Sequence, residues 1–335
     1  MTRALLAPLQ WQDEALLILD QRLLPQDTHW IRCVRMVDAV QTIANMAVRG
    51  APAIGLTGAY ALALARREGL ELAAAARTIK AARPTAVHLA WAVDAAMAAV
   101  PDGDPAQLLA LAQAMQAEDA QLNQRMAEHG AALLPPGGIV ITHCNTGALA
   151  TGGWGTALGV IRTAHAQGRV REVIVDETRP WLQGARLTAW ELAQEGIPHR
   201  LIADGAAAWA MRQLRPSWVI VGADRIAANG DAANKIGTFS LAVLARSLGV
   251  KMMVVAPLAT IDWGLAYGHG IPIEERSASE LTSLRGQPLA PAQTPAWNPV
   301  FDVTPAHLID ALVTEAGVVL QPDARKLAAW RRSQG

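Results

Sequence analysis

Residues 139–159 read IVITHCNTGALATGGWGTALG, and three kinds of local structure follow one another along this stretch. Its first residues are apolar and β-branched, which is typical of a buried parallel strand. A loop rich in Thr and Gly comes next, and a helical pattern then continues through Ile161 and Ala164. This order of strand, glycine loop and helix directs backbone N–H groups toward an anion beyond the end of the strand. Cys144 stands where the strand ends.

A βα pattern extends from this stretch toward the C-terminus. Five such repeats imply a parallel sheet with helices on both faces. Ligands of these sheets lie beyond the carboxyl ends of the strands, so polar residues at those ends are the first candidates for a site. The predicted strands are 139–143, 172–176, 199–203, 218–222 and 251–256; the predicted helices are 155–167, 184–195, 205–213 and 236–248, with one more in the tail from Pro305.

The N-terminal part has a different pattern, with few strands and many helices. A break at Pro135 to Gly138 separates it from the βα pattern, because Pro and Gly do not continue a helix. The sequence therefore predicts an α/β chain with a mostly helical N-terminal domain with a small sheet, residues 1–134, and a Rossmann-like domain with a parallel sheet, residues 135–335. The N-terminal strands are predicted at 15–19 and 30–34; the helices are predicted from Asp38 and at 53–67, 71–81, 86–100 and 105–131, with Thr85 as the N-cap of the third of these four.

The composition argues against some classes of binding partner and indicates the cellular compartment. The 335 residues carry 29 Lys plus Arg and 29 Asp plus Glu, and this zero net charge argues against a nucleic-acid binder or a polybasic membrane surface. Two cysteines are too few for a disulfide framework and favour a reducing compartment. No targeting segment is apparent, and the longest uncharged helical stretch, residues 51–65, is too short to span a membrane. A cytoplasmic protein is expected.

Several polar residues follow the predicted strands. Cys144, Asp176, Asp204 and Asp224 each stand at or just after a strand end. A lone buried cysteine is usually an inert apolar residue, but the glycine-rich helix entry after Cys144 is the setting in which thiolates react. An aspartate after a strand often caps a turn, which is the alternative for Asp224. Asn234 and Lys235, in a loop before a helix at Ile236, could offer an amide and an ammonium group to an anion.

The glycines also allow a nicotinamide oxidoreductase. Gly153 and Gly155 with Gly159 resemble a variant dinucleotide fingerprint, and Asp176 lies where a ribose-binding acid would stand. Against this hypothesis, the first of these glycines lies well after the strand end, so the tight turn directly off the strand is missing. The spacing of the histidines and cysteines matches no metal motif, and no metal is predicted.

Seven motifs together resemble one known family, the methylthioribose-1-phosphate isomerases of methionine salvage. That fold is shared with ribose-1,5-bisphosphate isomerases and with regulatory subunits of the eukaryotic translation initiation exchange factor. One departure is visible at His88, where the family commonly has Asn: the resemblance leaves substrate preference open if this side chain faces the ligand, and little changes if it packs within its helix. The motifs are RGAPAIG at 49–55, RPTAV at 83–87, HCNTG at 143–147, DETRP at 176–180, QGAR at 183–186, GADR at 222–225 and NKIG at 234–237.

This resemblance implies an activity and a set of site residues. The activity is isomerisation of 5-methylthioribose 1-phosphate to its ribulose, by a homodimer with no cofactor. The alternatives are an isomerase of a related pentose 1-phosphate and a non-catalytic regulatory subunit that senses sugar phosphates. Two arginines and a lysine fit a phosphate dianion. The implied catalytic pair is Cys144 and Asp224, and the implied ligand contacts are Arg49, Gly50, Ala51, Arg83, Gln183, Asn234 and Lys235.

Overall fold

A computed structural model describes residues 7–84, 86–284 and 286–334 of the chain. The chain packs as two compact units. The first consists of the residues up to Gln124 together with Asn145–Gly155, and the second contains Arg125–Cys144 and the residues from Thr156 onward. Residues 145–155, called the glycine loop below, therefore pack with the N-terminal part although the sequence on both sides belongs to the second unit. A domain boundary at 134/135 stays a prediction, and the predicted N-cap Thr85 lies outside the described residues.

The first unit is mostly helical, with a small antiparallel sheet at its start. Its elements are β1 (Leu9–Gln12), β2 (Ala15–Leu19), β3 (Trp30–Cys33), α1 (Met36–Ala44), α2 (Ala51–Arg67), α3 (Leu72–Ala81), α4 (Val87–Ala99) and α5 (Pro105–Ala131), whose last turns count with the second unit. Strand β2 pairs with β1 and β3. Strands β2 and β3 and these helices confirm the predictions, whereas β1 is not predicted, because its alternating pattern is only four residues long.

Helix α2 forms the centre of the first unit, and nearly every residue from Ala53 to Ala65 is buried. Its glycines let helix α4 approach closely. A Cβ atom at Gly55 would lie 2.9 Å from the carbonyl oxygen of His88, and one at Gly58 would lie 2.5 Å from Leu89 Cδ1. Both distances are too short for non-bonded atoms; a side chain at Gly55 would meet main chain, whereas one at Gly58 would force the Leu89 side chain to move. His88 thus contributes its main chain to this helix crossing, and its side chain is half-buried.

The second unit is built on a seven-stranded sheet. Its elements are β4 (Gly138–Thr142), α6 (Ala157–Ala166), β5 (Val170–Asp176), α7 (Ala189–Glu195), β6 (His199–Ile202), α8 (Ala207–Leu214), β7 (Trp218–Val221), β8 (Arg225–Ala227), β9 (Ala232–Lys235), α9 (Thr238–Leu248), β10 (Lys251–Val255), β11 (Ile261–Asp262), α10 (Ser279–Thr282), β12 (Ser283–Leu284), β13 (Gln287–Pro288), β14 (Phe301–Thr304), β15 (Ala311–Thr314), β16 (Gly317–Leu320) and α11 (Ala324–Gln334). The sheet order is β16-β15-β10-β7-β4-β5-β6, with only β16 antiparallel to its neighbour.

Alternate residues along the central strands pack into two different cores. Ile141 and Val219 belong to one core with helices α8 and α9, whereas Val140 and Ile220 belong to the other with helix α6. Because successive side chains of a strand point to opposite faces, helices cover both faces of the sheet. The predicted α/β class and its five parallel strands are confirmed. Strands β8, β9, β14, β15 and β16 are not predicted, because they are short or lie in the tail, where only the helix α11 is expected.

Two contacts with the rest of the first unit fix the path of the glycine loop. Gly50 has a φ of +92°, and a Cβ atom there would lie 2.5 Å from the main chain of Ala150, so this position needs glycine. On helix α5, the carboxylate of Asp119 accepts a hydrogen bond of 2.6 Å from the N–H of Gly152 and one of 2.9 Å from Asn123 Nδ2. Burial raises the pKa of Asp119 to about 6, although these two hydrogen bonds oppose the rise.

We expect Asp119 to make stability depend on pH. Since its pKa is raised in the folded chain, its contribution to stability is complete below about pH 4 and is lost as the pH rises through about 6. Relative to Asp119→Asn, the wild type should lose at most about 3 kcal/mol of unfolding free energy between these limits. Urea denaturation of both proteins from pH 4 to 7 measures the difference. A difference that does not vary with pH would contradict this assignment.

Within the described residues, no helix has both the length and the apolar character that a membrane span requires.

Candidate active site

Cys144 and Asp224 follow two neighbouring strands of the large sheet. Cys144 is the second residue after β4, and Asp224 is the third residue after β7. From β4 the chain adds β5 and β6 on one side, and it then returns to place β7 on the other. This reversal opens a crevice at the carboxyl ends of β4 and β7, which is where ligands bind in such sheets. The sheet order therefore brings the two predicted catalytic residues to the same edge of the second unit.

The main chain of Cys144 is in a conformation that residues other than glycine seldom adopt. Its φ is +67°, in the left-handed region. Its N–H donates to Thr178 Oγ1 at 2.9 Å, and its carbonyl oxygen accepts from Thr188 Oγ1 at 2.6 Å. Gln183 Nε2 lies 3.3 Å from the sulfur and donates to it. The side chain of Cys144 is 5% exposed, so its Sγ is held in nearly dry surroundings.

The preceding residue, His143, is fully buried between two acceptors. Its Nε2 lies 2.8 Å from the carbonyl oxygen of Ile236 and its Nδ1 lies 3.0 Å from Asp176 Oδ2. Burial works to lower the pKa of His143, but the hydrogen bond and charge of Asp176 outweigh it, so this pKa lies above its ordinary value. Burial also raises the pKa of Asp176. Because a carbonyl oxygen only accepts, Nε2 carries a proton, and the pair holds a further proton between Nδ1 and Oδ2.

Asp204 completes a cluster with His143 and Asp176, whose nitrogen and oxygen atoms lie within 4.8 Å of one another. The carboxylate of Asp204 accepts the N–H groups of Thr178 and Arg179, each at 2.7 Å. Both imidazole nitrogens and both Asp204 oxygens are therefore already in hydrogen bonds. A cation would have to displace these hydrogen bonds, and only Asp176 Oδ1, which has no hydrogen-bond partner among the described residues, is a ready ligand in this cluster. Its role is to hold the strand ends around Cys144.

The side chain of Asp224 is more exposed than we expect for a catalytic acid. Its side chain is exposed, while its N–H donates to the carbonyl oxygen of Ala233 at 2.8 Å. The next residue, Arg225, forms an ion pair with Asp262 at 3.7 Å.

Asn234 and Lys235 lie on strand β9, not in a loop directly before a helix, and helix α9 begins only at Thr238. Both side chains are buried. Asn234 Nδ2 donates to Thr238 Oγ1 at 2.9 Å, and Lys235 Nζ lies 4.1 Å from the centre of the Phe301 ring. A carboxylate already caps this helix end: Asp302 accepts the N–H groups of Gly237 and Phe239 at 2.8 and 3.1 Å, so an anion beside Asn234 and Lys235 stays a prediction that rests on their side chains.

Four of the predicted ligand contacts lie in the first unit. Arg49 donates from Nη1 to Asn145 Oδ1 at 2.7 Å and from Nη2 to the Asn145 carbonyl oxygen at 3.1 Å. Helix α2 begins at Ala51, and its N-cap is Gly50. Since glycine has no side chain, no side-chain group caps the first N–H groups of this helix. Such a helix end attracts anions. Arg83, between α3 and α4, is half-buried.

The dinucleotide hypothesis conflicts with the position of Asp176. A ribose-binding acid must present its carboxylate to the ligand. The carboxyl of Asp176 is 1% exposed and faces His143. The glycines that resembled a fingerprint, Gly153 and Gly155, belong to the glycine loop of the first unit. We do not retain this hypothesis.

Comparison with known proteins gives a consistent family. Residues 47–321 match the family model described as Initiation factor 2 subunit family. A methylthioribose-1-phosphate isomerase of Thioalkalivibrio sulfidiphilus is 55% identical over 330 residues, which cover 95% of each chain. This chain belongs to the methylthioribose-1-phosphate isomerase family. The resemblance read from the seven motifs is confirmed.

Solved structures agree with this family. The 5-methylthioribose 1-phosphate isomerase of Pyrococcus horikoshii OT3 superposes with a TM-score of 0.93 at 40% identity, over 99% of this chain and 97% of that one. A chain described as the translation initiation factor eIF-2B, subunit delta, from A. fulgidus has a TM-score of 0.86 at 38% identity, over 97% and 99%. The isomerase family thus shares its fold with proteins described as initiation factors.

Three residues around the site are not predicted as site residues. Thr178 and Asn145 stand at strand ends in the quoted motifs, so their positions are visible in the sequence, but their contacts are not. Thr188 gives no signal, because it falls inside a predicted helix.

Proposed function

We propose that this chain is an aldose–ketose isomerase that converts 5-methylthio-α-D-ribose 1-phosphate to 5-methylthio-D-ribulose 1-phosphate in methionine salvage. The observation that carries this proposal is the juxtaposition of Cys144 and Asp224 at adjacent strand ends of the second unit, in a chain whose relatives over nearly its whole length are named for this reaction. Both residues stand in the family motifs HCNTG and GADR.

Asp224 is the proposed acid. A sugar that carries phosphate on its anomeric carbon does not open spontaneously to an aldehyde, so the ring oxygen needs a proton as its bond to C1 breaks. A carboxylic acid within hydrogen-bonding distance supplies that proton. Because Asp224 is exposed without a ligand, bound substrate has to supply the desolvation that keeps the carboxyl protonated.

Cys144 is the proposed base. Its thiolate takes the proton from C2, which leaves an enol phosphate. That proton or one from solvent then adds to C1, while the C2 hydroxyl loses its proton to the Asp224 carboxylate, which gives the ketose and restores the acid. Two observations support this role. Gln183 Nε2 donates to the sulfur at 3.3 Å, which fixes the position of Sγ. Gln183 Oε1 has no hydrogen-bond partner in the described chain although the residue is 98% buried, so it can accept a sugar hydroxyl.

Proton transfer makes a prediction that a hydride shift does not. In D2O, a thiolate that exchanges its proton with solvent should place deuterium on C1 of the ketose, whereas direct transfer from C2 to C1 carries the original hydrogen. We expect NMR of the product to find solvent deuterium at C1. Two results together would argue for the hydride shift: unlabelled substrate gives product without deuterium at C1 in D2O, and substrate labelled with deuterium at C2 carries that label to C1 in H2O.

The phosphate contacts are proposed from the positive charges and N–H donors of the predicted ligand residues. Arg49 stands beside the uncapped start of α2, with the N–H groups of Gly50 and Ala51 next to it, and a guanidinium with helix N–H groups suits a phosphate. Arg83 of the same unit adds positive charge. Lys235 and Asn234 belong to the second unit, and their contact with the ligand stays a prediction from the family resemblance. Since Asp302 occupies the end of helix α9, Lys235 would act there through its ammonium charge alone.

The test of function compares two substrates. Purified protein is given 5-methylthioribose 1-phosphate or ribose 1,5-bisphosphate, and ketose formation is followed by NMR. We expect turnover of the methylthio sugar. Turnover of the bisphosphate alone would move the chain to the related isomerases, and His88→Asn would then be the first variant to compare. Tight binding of both sugars without turnover would mean a regulatory subunit.

A homodimer, a cytoplasmic location and the absence of a nucleic-acid partner stay predictions from the sequence. Light scattering on the purified protein tests the homodimer. A monomer at micromolar concentration would contradict it.

A further inference from the structure

A π-helical turn lies beside Cys144 and joins two of its contacts. The turn covers Gly184–Thr188, between Gln183 and helix α7, and the N–H of Ala189 donates to the Gly184 carbonyl oxygen five residues earlier. In an α-helix, residues five positions apart point to different faces, because 3.6 residues complete a turn. The wider π turn brings such residues to the same face. Gln183 and Thr188 are five positions apart, and both contact Cys144.

The contact of Thr188 with Cys144 matters because the main chain of Cys144 is strained. With φ at +67°, Cys144 adopts a conformation that its side chain disfavours, and surrounding bonds must hold it there. The Thr188 hydroxyl donates to the carbonyl oxygen of Cys144, and the Thr178 hydroxyl accepts from the N–H of Cys144. Thr178 is itself left-handed, with φ at +63°, and its N–H is bonded to Asp204 Oδ1. The two peptide groups on either side of the Cys144 Cα are therefore each held by a threonine hydroxyl.

We propose that Thr188 is a positioning residue of the reaction. Its hydroxyl, placed by the π turn and acting with Thr178, holds Cys144 in the left-handed conformation that keeps Sγ against Gln183. By this proposal Thr188 acts through the main chain of Cys144 and not on the substrate. The inference deepens the proposed function, because it gives Thr188 a role only through Cys144 as the base.

Kinetics of two substitutions test the hydroxyl. Thr188→Val removes it with little change of shape, and Thr188→Ser keeps it. We expect Thr188→Val to lower kcat about 100-fold with KM within about three-fold, because a small displacement of a reacting group has effects of this size. Thr188→Ser should recover kcat to within about five-fold of wild type. The matched control is Thr42→Val in helix α1, where an equally buried hydroxyl donates to the Ala39 carbonyl oxygen at 2.7 Å.

A second readout does not depend on turnover. Iodoacetamide labelling of Cys144, followed by peptide mass spectrometry, reports how well the buried sulfur is held. We expect Thr188→Val to be labelled at least about five-fold faster than wild type, because local opening exposes the thiol. Thr188→Ser and Thr42→Val should be labelled at the wild-type rate.

Each result decides the inference. If Thr188→Val keeps wild-type labelling and kcat, or if Thr188→Ser is as impaired as Thr188→Val, the hydroxyl does not position Cys144 and the proposal is overturned. If the wild type turns over no sugar phosphate, the proposed function fails. The labelling of Thr188→Val against Thr188→Ser then still decides whether the hydroxyl holds the cysteine.

Discussion

Replacing Cys144 by Ser should lower kcat for 5-methylthioribose 1-phosphate by about three orders of magnitude while the sugar phosphate still binds. A hydroxyl at the same place is a far weaker base than a thiolate, and removing a general base typically lowers a rate by about 10²- to 10⁴-fold. The phosphate contacts do not involve the sulfur, so Kd measured by isothermal titration calorimetry should stay within about three-fold of wild type.

Asp224→Asn should lower kcat to a similar extent, because an amide cannot protonate the departing ring oxygen. Two variants serve as matched controls. Cys33→Ser changes the other buried cysteine, in strand β3 of the first unit, and Asp102→Asn changes another exposed aspartate. Both controls should keep kcat within about two-fold. A Cys144→Ser or Asp224→Asn enzyme as active as its control would remove that residue from the catalytic pair.

The largest effect on stability is expected at His143. His143→Leu leaves the carboxyl of Asp176 and the carbonyl oxygen of Ile236 buried without their donor. Breaking a buried ionic pair by removing one partner typically lowers the free energy of unfolding by about 3–5 kcal/mol. We therefore expect a decrease of this size by urea denaturation.

A double variant shows whether the broken pair of His143 and Asp176 causes this loss of stability. His143→Leu with Asp176→Leu removes both partners, so it should be less destabilised than the sum of the two single changes. The comparison is Arg200→Ala, which breaks the ion pair with Glu172 at the protein surface and should lower stability by less than about 1 kcal/mol. A His143→Leu protein that loses no more than Arg200→Ala would mean that the buried pair contributes little.

The strands and helices that the sequence predicts well are those with a clear hydrophobic period. Strand β4 is a run of apolar residues, and helix α2 is apolar along nearly its whole length, so local pattern and tertiary burial favour the same structure. The order of the strands in the sheet is not visible in this way. It is fixed by packing of distant segments, and it is the order that makes neighbours of β4 and β7.

The site is only partly visible in the sequence for related reasons. Cys144 and Asp224 can be found because they follow strands. Two features could not be read. The π turn that brings Thr188 to Cys144 looks like ordinary helix, because its residues keep a helical composition. Asp302 reaches the start of helix α9 from strand β14, more than 60 residues later in the chain, and no local pattern connects the two.

The two outer strands of the large sheet bear on how the protein behaves at high concentration. A free strand edge offers unpaired N–H and C=O groups to other molecules and promotes edge-to-edge association. Here β6 and β16 have four residues each, and β6 begins with His199 and Arg200. The short length of both edges and the charge on β6 resist continuation of the sheet into a neighbouring molecule. The apolar strands that carry Cys144 and Asp224 lie inside the sheet, where such pairing cannot reach them.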